Sequence, residues 1–301
     1  MKLSDIQKRI QNNVFHDLTL GRLANWLTAF ISALLLLVNV RTVNMDSAPI
    51  DLQNYKLVFA DEFDGDALNT DLWHIHNFEG VRKGGYWTMD QASVRDGNLV
   101  IRTEYKEDGA FGSGWYTCGL ETRGQFEHKY GYYECRCILP KGQGLWSAFW
   151  LMNPNVNKTN GHAREGAELD VFESPYYVLP GRSSHIVTSN IHYNGYELET
   201  KYRNVVISML DNDPYENYNT YGLLWTPDEY IFYVNGHEVA RSDFGGVSEK
   251  EEFLILSCEV DGAAATPTFG WSGFVERNGR DNFCAEFLVD YVRVYDAIEQ
   301  A

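Results

Sequence analysis

The 301-residue sequence is short of positive charge. It has 25 lysines and arginines against 42 aspartates and glutamates, for a formal net charge of −17 at pH 7. No Lys/Arg-rich run offsets this balance, so the phosphate backbone of a nucleic acid would be repelled and not gathered. The composition therefore argues against a nucleic-acid partner, and an acidic surface suits a neutral ligand better than a strongly anionic one.

Cysteine is also scarce, and the count of five is odd. Complete intramolecular pairing is therefore impossible. Cys135 and Cys137 lie two residues apart in a predicted strand, where both side chains point to one face and are poorly placed to bridge each other. No Cys-x-x-Cys or paired histidine spacing accompanies them, which argues against a zinc site. We expect buried free thiols.

Long apolar runs are almost absent. The run from Trp26 to Val40 is about 15 residues long, short of the roughly 20 that span a bilayer but within the range of a signal-peptide core. Residues 1–45 therefore predict a partly helical signal or membrane anchor that attaches through residues 26–40 and leaves the rest secreted or outside the cell. The alternative is a translation start at Met45, which would leave a cytoplasmic protein. The basic residues that precede the run, and would stay cytoplasmic, are Lys2, Lys8, Arg9 and Arg22.

Helical periodicity is missing from about Lys56 onward, where short β-rich runs are separated by Gly, Asn, Asp and Pro. Asn235-Gly236 between two such runs predicts a hairpin, because a type I′ turn needs positive φ at both central residues. Many strands at short spacing predict one all-β sandwich or jelly roll over residues 50–298. The predicted runs are Lys56–Phe63, Asn98–Tyr105, Tyr130–Leu139, Ser147–Met152, Glu168–Glu173, Val187–Tyr193, Thr220–Trp225, Tyr230–Ala240, Phe253–Val260 and Glu286–Tyr295.

Three acidic residues stand close together in the run Glu-Leu-Asp-Val-Phe-Glu. Alternation places Glu168 and Asp170 on one face of a strand, while Glu173 falls on the other. One extra residue, a β-bulge at Val171 or Phe172, would return Glu173 beside the other two. Three carboxylates on one face would repel one another, and that repulsion raises the pKa of at least one of them.

Two carboxyl groups on a sheet rich in aromatic residues suit glycoside hydrolysis. Aromatic residues make up 14% of the chain, and their rings stack on sugars. In the retaining reaction the carboxyl groups lie about 5–5.5 Å apart; one attacks the anomeric carbon while the other first protonates the leaving oxygen and then activates water. From these six residues alone, a solvated acidic edge strand or a calcium site is an equal alternative.

The flanking sequence favours glycoside hydrolysis. The run from Glu168 to Glu173 resembles the Glu-x-Asp-x-x-Glu signature of glycoside hydrolase family 16 in its bulged, laminarinase-like form. The resemblance covers roughly residues 56–296, in order. It rests on further blocks, which are Leu57-Val-Phe-Ala-Asp-Glu-Phe-Asp-Gly65, Asp96-Gly-Asn-Leu-Val-Ile101, Thr122-Arg-Gly-Gln-Phe126, Tyr130-Gly-Tyr-Tyr-Glu-Cys-Arg136, Leu139-Pro-Lys-Gly-Gln-Gly-Leu-Trp-Ser-Ala-Phe-Trp150, Trp225-Thr-Pro-Asp228 and Val289-Asp-Tyr-Val-Arg-Val-Tyr295.

The resemblance implies a concanavalin A-like β-jelly-roll of two curved antiparallel sheets, with a carbohydrate cleft on the concave face. It implies a retaining, endo-acting O-glycosyl hydrolase in which Glu168 is the nucleophile, Glu173 the acid/base and Asp170 the residue that tunes their protonation. The expected substrate is a β-1,3- or β-1,3/1,4-glucan. The alternatives are a hydrolase of a β-galactan, either an algal galactan or an arabinogalactan, a transglycosylase and a non-catalytic carbohydrate-binding protein. We expect a monomer.

Substrate-binding residues are expected around the carboxylates. Trp146 matches the cleft tryptophan of the family, and His192 matches a cleft histidine, although a lone strand histidine is also commonly structural. Arg123 would bind sugar hydroxyls or neutralise Glu168 or Glu121. Three further aromatic residues are candidate sugar platforms, with core packing as the alternative: Trp87, Trp115 and Tyr116.

The chemistry requires no cofactor, but the resemblance implies a possible structural calcium ion on the convex side. Asp290 would supply a carboxylate, backbone oxygens near Gly97 would complete the site, and Glu62 would assist. An ordinary solvated strand-end acid is the alternative for Asp290.

Overall fold

The computed structural model describes residues 40–179, 182–183, 185–261 and 272–298. Residues 1–39, which make up most of the predicted signal or anchor, lie outside the described residues. In the described part of the chain, no helix is long and apolar enough to cross a membrane.

Strands dominate the described residues, and the only helices there are four short 3-10 helices, η1 to η4. Sheet A contains β1 (Val40–Thr42), β3 (His74–Ile75), β9 (Gly119–Glu121), β10 (Glu127–His128), β12 (Leu145–Met152), β13 (Glu168–Pro175), β16 (Ile186–Tyr193), β17 (Lys201–Met209) and β21 (Glu252–Val260). Sheet B contains β2 (Tyr55–Asp61), β4 (Gly80–Arg82), β5 (Gly85–Trp87), β6 (Ala92–Arg95), β7 (Asn98–Gly109), β8 (Gly112–Thr117), β11 (Gly131–Ile138), β18 (Asn219–Trp225), β19 (Tyr230–Val234), β20 (His237–Ser242) and β22 (Cys284–Ala297). A small ribbon joins β14 (Tyr177–Leu179) and β15 (Arg182–Ser183), and the 3-10 helices are η1 (Leu52–Asn54), η2 (Met89–Gln91), η3 (Pro154–Asn157) and η4 (Val275–Asn278).

The two sheets pack face to face around one hydrophobic core. Phe172 of β13 lies with its ring centroid 4.2 Å from that of Tyr221 in sheet B, and it meets Phe287 of β22 edge-on at 6.3 Å. All three side chains are fully buried. Interdigitated aromatic rings of this kind hold sheets together by area burial and by edge-to-face contact. The predicted all-β sandwich is confirmed.

The predicted runs agree with the observed strands. Each of the ten runs overlaps a strand, and the run Tyr230–Ala240 is the hairpin of β19 and β20. Asn235 and Gly236 have φ of 52° and 78° at its turn, as the type I′ prediction requires. One local pairing departs from the antiparallel expectation, because β5 and β8 pair in parallel.

Sheet A presents one face to the core and the other to its surroundings. Its central strands run in the order β17-β16-β13-β12-β21-β9-β3. We call the side turned away from the core the outer face. A separate apolar cluster lies on that face and is formed by Ala148, Trp150, Met152, Val156, Phe253 and Ile255. It forms the apolar floor beside the acidic residues of β13, with which Ala148, Trp150 and Met152 pair.

Candidate active site

A β-bulge at Val171 brings the three acidic residues of β13 to the outer face. Phe149 of β12 pairs with Phe172 and the next residue, Trp150, pairs with Asp170, so Val171 has no partner in β12. The register against β16 shifts at the same place. Val171 and Phe172 consequently both enter the core, and Asp170 and Glu173 both leave it. The bulge that the spacing required is present.

Glu168 lies between a histidine and a tyrosine. Its Oε1 is 3.7 Å from His192 Nε2, and the Tyr196 hydroxyl donates a hydrogen bond to its Oε2. His192 is paired with Glu168 across β13 and β16, and its Nε2 is also 3.3 Å from Asp170 Oδ2. One imidazole thus contacts two carboxylates. This places His192 on the outer face, where the resemblance expected it.

Glu173 is held by two side-chain donors. Asn190, which pairs with Asp170 across the strands, donates its Nδ2 to Glu173 Oε2, and Trp146 hydrogen-bonds the same carboxyl group. Asn190 is itself fixed by Asn204, whose Nδ2 donates to Asn190 Oδ1 at 2.8 Å. The network orients Glu173 and brings Trp146 next to the carboxylates.

Both glutamates hold protons more tightly than a free carboxyl group does. Burial, followed by the charge of Asp170, raises the pKa of Glu168 to about 7. Burial, followed by the charges of Asp170 and Glu168, raises the pKa of Glu173 well above its usual value. Burial alone would lower the pKa of His192, but its hydrogen bond to Asp170 and the nearby negative charges raise it. Such shifts mark sites that transfer protons near neutral pH.

The same cluster is the one in the described residues whose side chains could together hold a cation. Donor atoms of Glu168, Asp170 and His192 all lie within 4.8 Å of one another. Clusters of this kind occur without a metal wherever acid–base chemistry needs adjacent carboxylates.

Cationic side chains line the outer face beyond Trp146. Arg82 Nε donates to Glu259 Oε1 at 2.7 Å, and its guanidinium lies 4.7 Å from the ring centre of Trp87. Lys83 is exposed and lies 5.4 Å above the ring of Trp146. Glu259 is almost completely buried and compensates Arg82, so the charge that remains open to a ligand is that of the lysine and part of the guanidinium.

Arg123 neutralises Glu121 and not Glu168. Its guanidinium donates to Glu121 Oε2 at 3.0 Å and to Asn77 Oδ1 at 3.2 Å, and it lies over the ring of Phe253. Glu121 also contacts His76 Nδ1 at 2.6 Å. Of the two acidic partners expected for Arg123, the structure shows Glu121. A contact between Arg123 and sugar hydroxyls stays a prediction, and Arg123 is half-buried at the outer face.

The prediction that three aromatic residues bind sugar rings is wrong, because their side chains are buried. Trp115 and Tyr116 are each 1% exposed and Trp87 is 2% exposed. Trp115 is part of the core and donates its Nε1 to Glu276 Oε1 at 3.1 Å, and Trp87 donates to the carbonyl of Cys258. None of the three presents a ring face on which a pyranose could stack.

The predicted calcium ligands lie on neighbouring strands, but their carboxylates have other partners. Asp290 is ion-paired with Arg136, and Glu62 forms a two-pronged ion pair with Arg293 at 2.8 Å. Gly97 has φ of 71° in the turn between β6 and β7. A hard cation would have to displace both guanidinium groups, so the donor set as it stands does not fit calcium. The calcium site stays a prediction.

Comparisons with known proteins support this fold and identify the family. A family model described as the GH16 domain of β-porphyranases A–D matches residues 56–297. The chain therefore belongs to glycoside hydrolase family 16, and the resemblance stated from the sequence is confirmed.

Individual relatives have low to moderate identity. The chain is 30% identical over 207 residues to the endo-1,3-1,4-β-glycanase EglC of Rhizobium meliloti (strain 1021), covering 67% of this chain and 39% of the relative. It is 25% identical to the keratan-sulfate endo-1,4-β-galactosidase of Sphingobacterium multivorum, covering 83% of this chain and 57% of the relative. The chain thus spans well under two thirds of the length of both relatives.

A solved structure has the same architecture. The laminarinase catalytic domain of Thermotoga maritima MSB8 matches with a TM-score of 0.66 and 25% identity, covering 82% of this chain and all of that domain. The jelly-roll assignment is confirmed by this similarity.

Proposed function

We propose that the chain is a retaining, endo-acting glycoside hydrolase of a β-linked polysaccharide. The observation that carries the proposal is the bulge at Val171, because it turns Glu168, Asp170 and Glu173 to one face of sheet A. Family membership and the laminarinase-like fold support it. We assign Glu168 as nucleophile, Glu173 as acid/base and Asp170 as the charge that tunes both.

In the first step, Glu168 Oε1 forms a bond to the anomeric carbon while the bond to the leaving oxygen breaks. That oxygen takes its proton from Glu173, whose raised pKa favours its protonated form. In the second step, a water oxygen bonds to the same carbon and gives a proton to Glu173. The ester bond to Glu168 breaks and its electron pair returns to the carboxylate, so the starting protonation is restored and the configuration is retained.

The nucleophile must be ionised when it attacks, and the groups that surround the two glutamates favour the assignment. Both are raised, but Glu173 experiences the charges of Asp170 and Glu168 together. Glu168 is also relieved by the Tyr196 hydrogen bond and by the nearby charges of His192 and Arg82. Glu173 is relieved by the neutral donors Trp146 and Asn190, whereas Glu168 is relieved by two cations as well, so we assign the first ionisation of the coupled pair to Glu168.

The substrate that we propose first is a β-1,3- or β-1,3/1,4-glucan. The relative EglC is named as an endo-1,3-1,4-β-glycanase, and the solved structure as a laminarinase. The indole of Trp146, which also bonds Glu173, would contact the sugar nearest the acid/base.

A β-galactan with anionic substituents is the second candidate. The cations Arg82 and Lys83 beside Trp146 favour it, because a neutral glucan has no negative charge with which they could pair. The matching family model is named for porphyranases, and one relative for keratan sulfate.

The test is a panel of purified polysaccharides scored by product mass and by the anomeric configuration of the first product. The panel contains laminarin, mixed-linkage glucan, neutral agarose and a sulfated galactan. Oligosaccharides released with retention from a glucan support the first candidate, and release from the sulfated galactan alone supports the second. Absence of any released sugar with retained binding would make the chain a carbohydrate-binding protein, and chain elongation with added oligosaccharide acceptors would indicate a transglycosylase.

A further inference from the structure

The nucleophile assigned above has a partner from outside the signature strand, Tyr196. It lies in the segment between β16 and β17, where its ring is half exposed while its hydroxyl contacts Glu168 Oε2 and lies 3.7 Å from Met152 Sδ. Residues around it are exposed, and Leu198 is completely so. The Glu168 side chain is 14% exposed, so the polar end of a half-exposed tyrosine contacts a largely buried carboxylate, and this placement has a structural reason.

That reason is a tight anchor directly before Tyr196. Asn194 and Gly195 have φ of 70° and 81°, two consecutive left-handed residues that reverse the chain. Asn194 is 4% exposed; its Oδ1 accepts from Gly161 N at 2.7 Å and its Nδ2 donates to Glu199 O at 2.6 Å.

A backbone bond fastens the same turn to η3. Gly195 N donates to Val156 O at 2.7 Å, and Val156 belongs to the apolar cluster of the outer face. The segment is thus bonded both to the floor of the site and to itself. These bonds to the turn directly before Tyr196 determine the position of its hydroxyl group beside Glu168.

We propose that Tyr196 is a positioning residue that holds Oε2 of Glu168, leaves Oε1 free to attack, and assists the departure of the carboxylate from the glycosyl-enzyme. This inference rests on the proposed retaining mechanism. In the covalent intermediate Oε1 is bonded to the anomeric carbon and Oε2 is the ester carbonyl oxygen. When water attacks that carbon and the C–Oε1 bond breaks, negative charge returns to the carboxylate, and a hydrogen bond to Oε2 strengthens as it does so.

The kinetic consequence is specific to the second step. During attack by Glu168 the carboxylate loses charge, so the hydrogen bond to Tyr196 gains nothing in the transition state. When the carboxylate of Glu168 departs in the second step, the hydrogen bond from Tyr196 becomes stronger in the transition state. Loss of the hydroxyl should therefore slow deglycosylation more than glycosylation.

The experiment compares Tyr196→Phe with the full-length wild-type protein on 2,4-dinitrophenyl β-laminaribioside, or on the matching aryl glycoside of the sugar released in the panel. We expect kcat to fall about 10-fold or more, as for loss of a hydrogen bond to a charged group. KM should fall in parallel, so that kcat/KM changes less than about 3-fold. Mass spectrometry of the intact protein during turnover should show the glycosyl-enzyme in the variant. Leu198→Ala, in the same segment, is the matched control and should behave as the wild type.

A double-mutant cycle tests the anchor. Asn194→Gly keeps the left-handed backbone and removes both side-chain hydrogen bonds. We expect it to lower kcat in the wild-type background and to have little further effect when combined with Tyr196→Phe. Additive losses would show that Asn194 does not act through Tyr196.

Two outcomes overturn the proposal. One is a Tyr196→Phe variant with unchanged kcat, where a raised KM would make Tyr196 a substrate contact only. The other is an equal fall in kcat and kcat/KM, which would place the loss in the first step and not in the second. A wild-type protein that is inactive on the whole panel refutes the proposed function instead, so the two failures are distinguishable.

Discussion

Replacing Asp170 by asparagine should move the pH profile of the enzyme toward acid. Burial and the Asp170 charge together raise the pKa of Glu168 from 4.5 to about 7, a difference of 2.5 units. Because His192, Tyr196 and Arg82 lower the pKa, this is a net difference, and it corresponds to about 3 kcal/mol against ionisation. Burial is the larger cause, so we assign the charge of Asp170 a shift on the order of one unit.

The sign follows from the roles. Glu168 must be ionised to attack, so activity is lost as pH falls through its pKa, and a lower pKa moves the acid limb of the profile downward. Asp170 also raises the pKa of Glu173, and activity is lost as pH rises through that pKa, so the alkaline limb should move down as well. A structural effect of the substitution would lower the amplitude without moving either limb.

The assay is kcat/KM between pH 4 and pH 10, which reports the free enzyme. The wild type should show an acid limb near pH 7, and Asp170→Asn an acid limb about one unit lower. Asp228→Asn, an exposed carboxylate in the turn between β18 and β19, is the charge-matched control and should leave both limbs in place. An acid limb that stays fixed or moves upward in Asp170→Asn would refute the electrostatic coupling described here.

Three other substitutions have defined outcomes. Glu168→Gln should abolish turnover, with a loss of at least about 1,000-fold in kcat and an unchanged circular-dichroism spectrum, because an amide cannot form the ester; residual wild-type-like kcat would contradict its role. Glu173→Ala should keep far more activity on a dinitrophenyl glycoside than on polysaccharide, since a good leaving group needs no proton, and equal losses on both substrates would count against it. Glu252 is completely buried, and burial raises its pKa to about 8. Protonation of Glu252 therefore favours the folded state, and the wild-type protein loses stability as pH rises from about 4.5 through about 8. The free energy of unfolding of Glu252→Gln should therefore increase relative to that of the wild type over this pH range, by up to on the order of 5 kcal/mol, and its Tm should increase with it. A Tm difference that does not depend on pH would contradict this prediction.

The sequence was most informative where local geometry decides the structure. Side chains alternate between the two faces of a strand, and Glu173 is an odd number of residues from Asp170. A bulge between Asp170 and Glu173 is therefore required if all three acidic residues are to lie on one face. The two adjacent apolar residues Val171 and Phe172 are the visible sign of it, since both enter the core. The Asn235-Gly236 turn is a second case, because few residues other than Asn and Gly adopt positive φ without strain.

Burial of aromatic rings could not be read in the same way. Trp115 and Tyr116 are adjacent in β8, yet both are buried, because Trp115 packs against Tyr105 and Phe283 while Tyr116 packs against Tyr86. Trp115 finds its hydrogen-bond acceptor in Glu276, 161 residues further along the chain. Such coverage depends on tertiary packing, which neither composition nor spacing encodes.

Several residues of the site are not marked in the sequence by a motif as specific as that of the three carboxylates. Asn190 shares the strand and the face of His192, so alternation around that histidine would have found it. Arg82 meets Glu259 from 177 positions away, and Tyr196 lies in an irregular segment. Contacts of this range require the folded structure.

The most direct measurement is peptide mapping of the protein after inactivation with an activated 2-deoxy-2-fluoro-β-glycoside of the sugar that the panel identifies. The fluorine slows both steps, and the good leaving group allows the first to proceed, so the covalent intermediate accumulates. A glycosyl adduct on the peptide that contains Glu168, with fragmentation that places it on that residue, is the expected result. An adduct on Glu173, or complete absence of an adduct together with an inverted product, would contradict the assignment of Glu168 as the nucleophile.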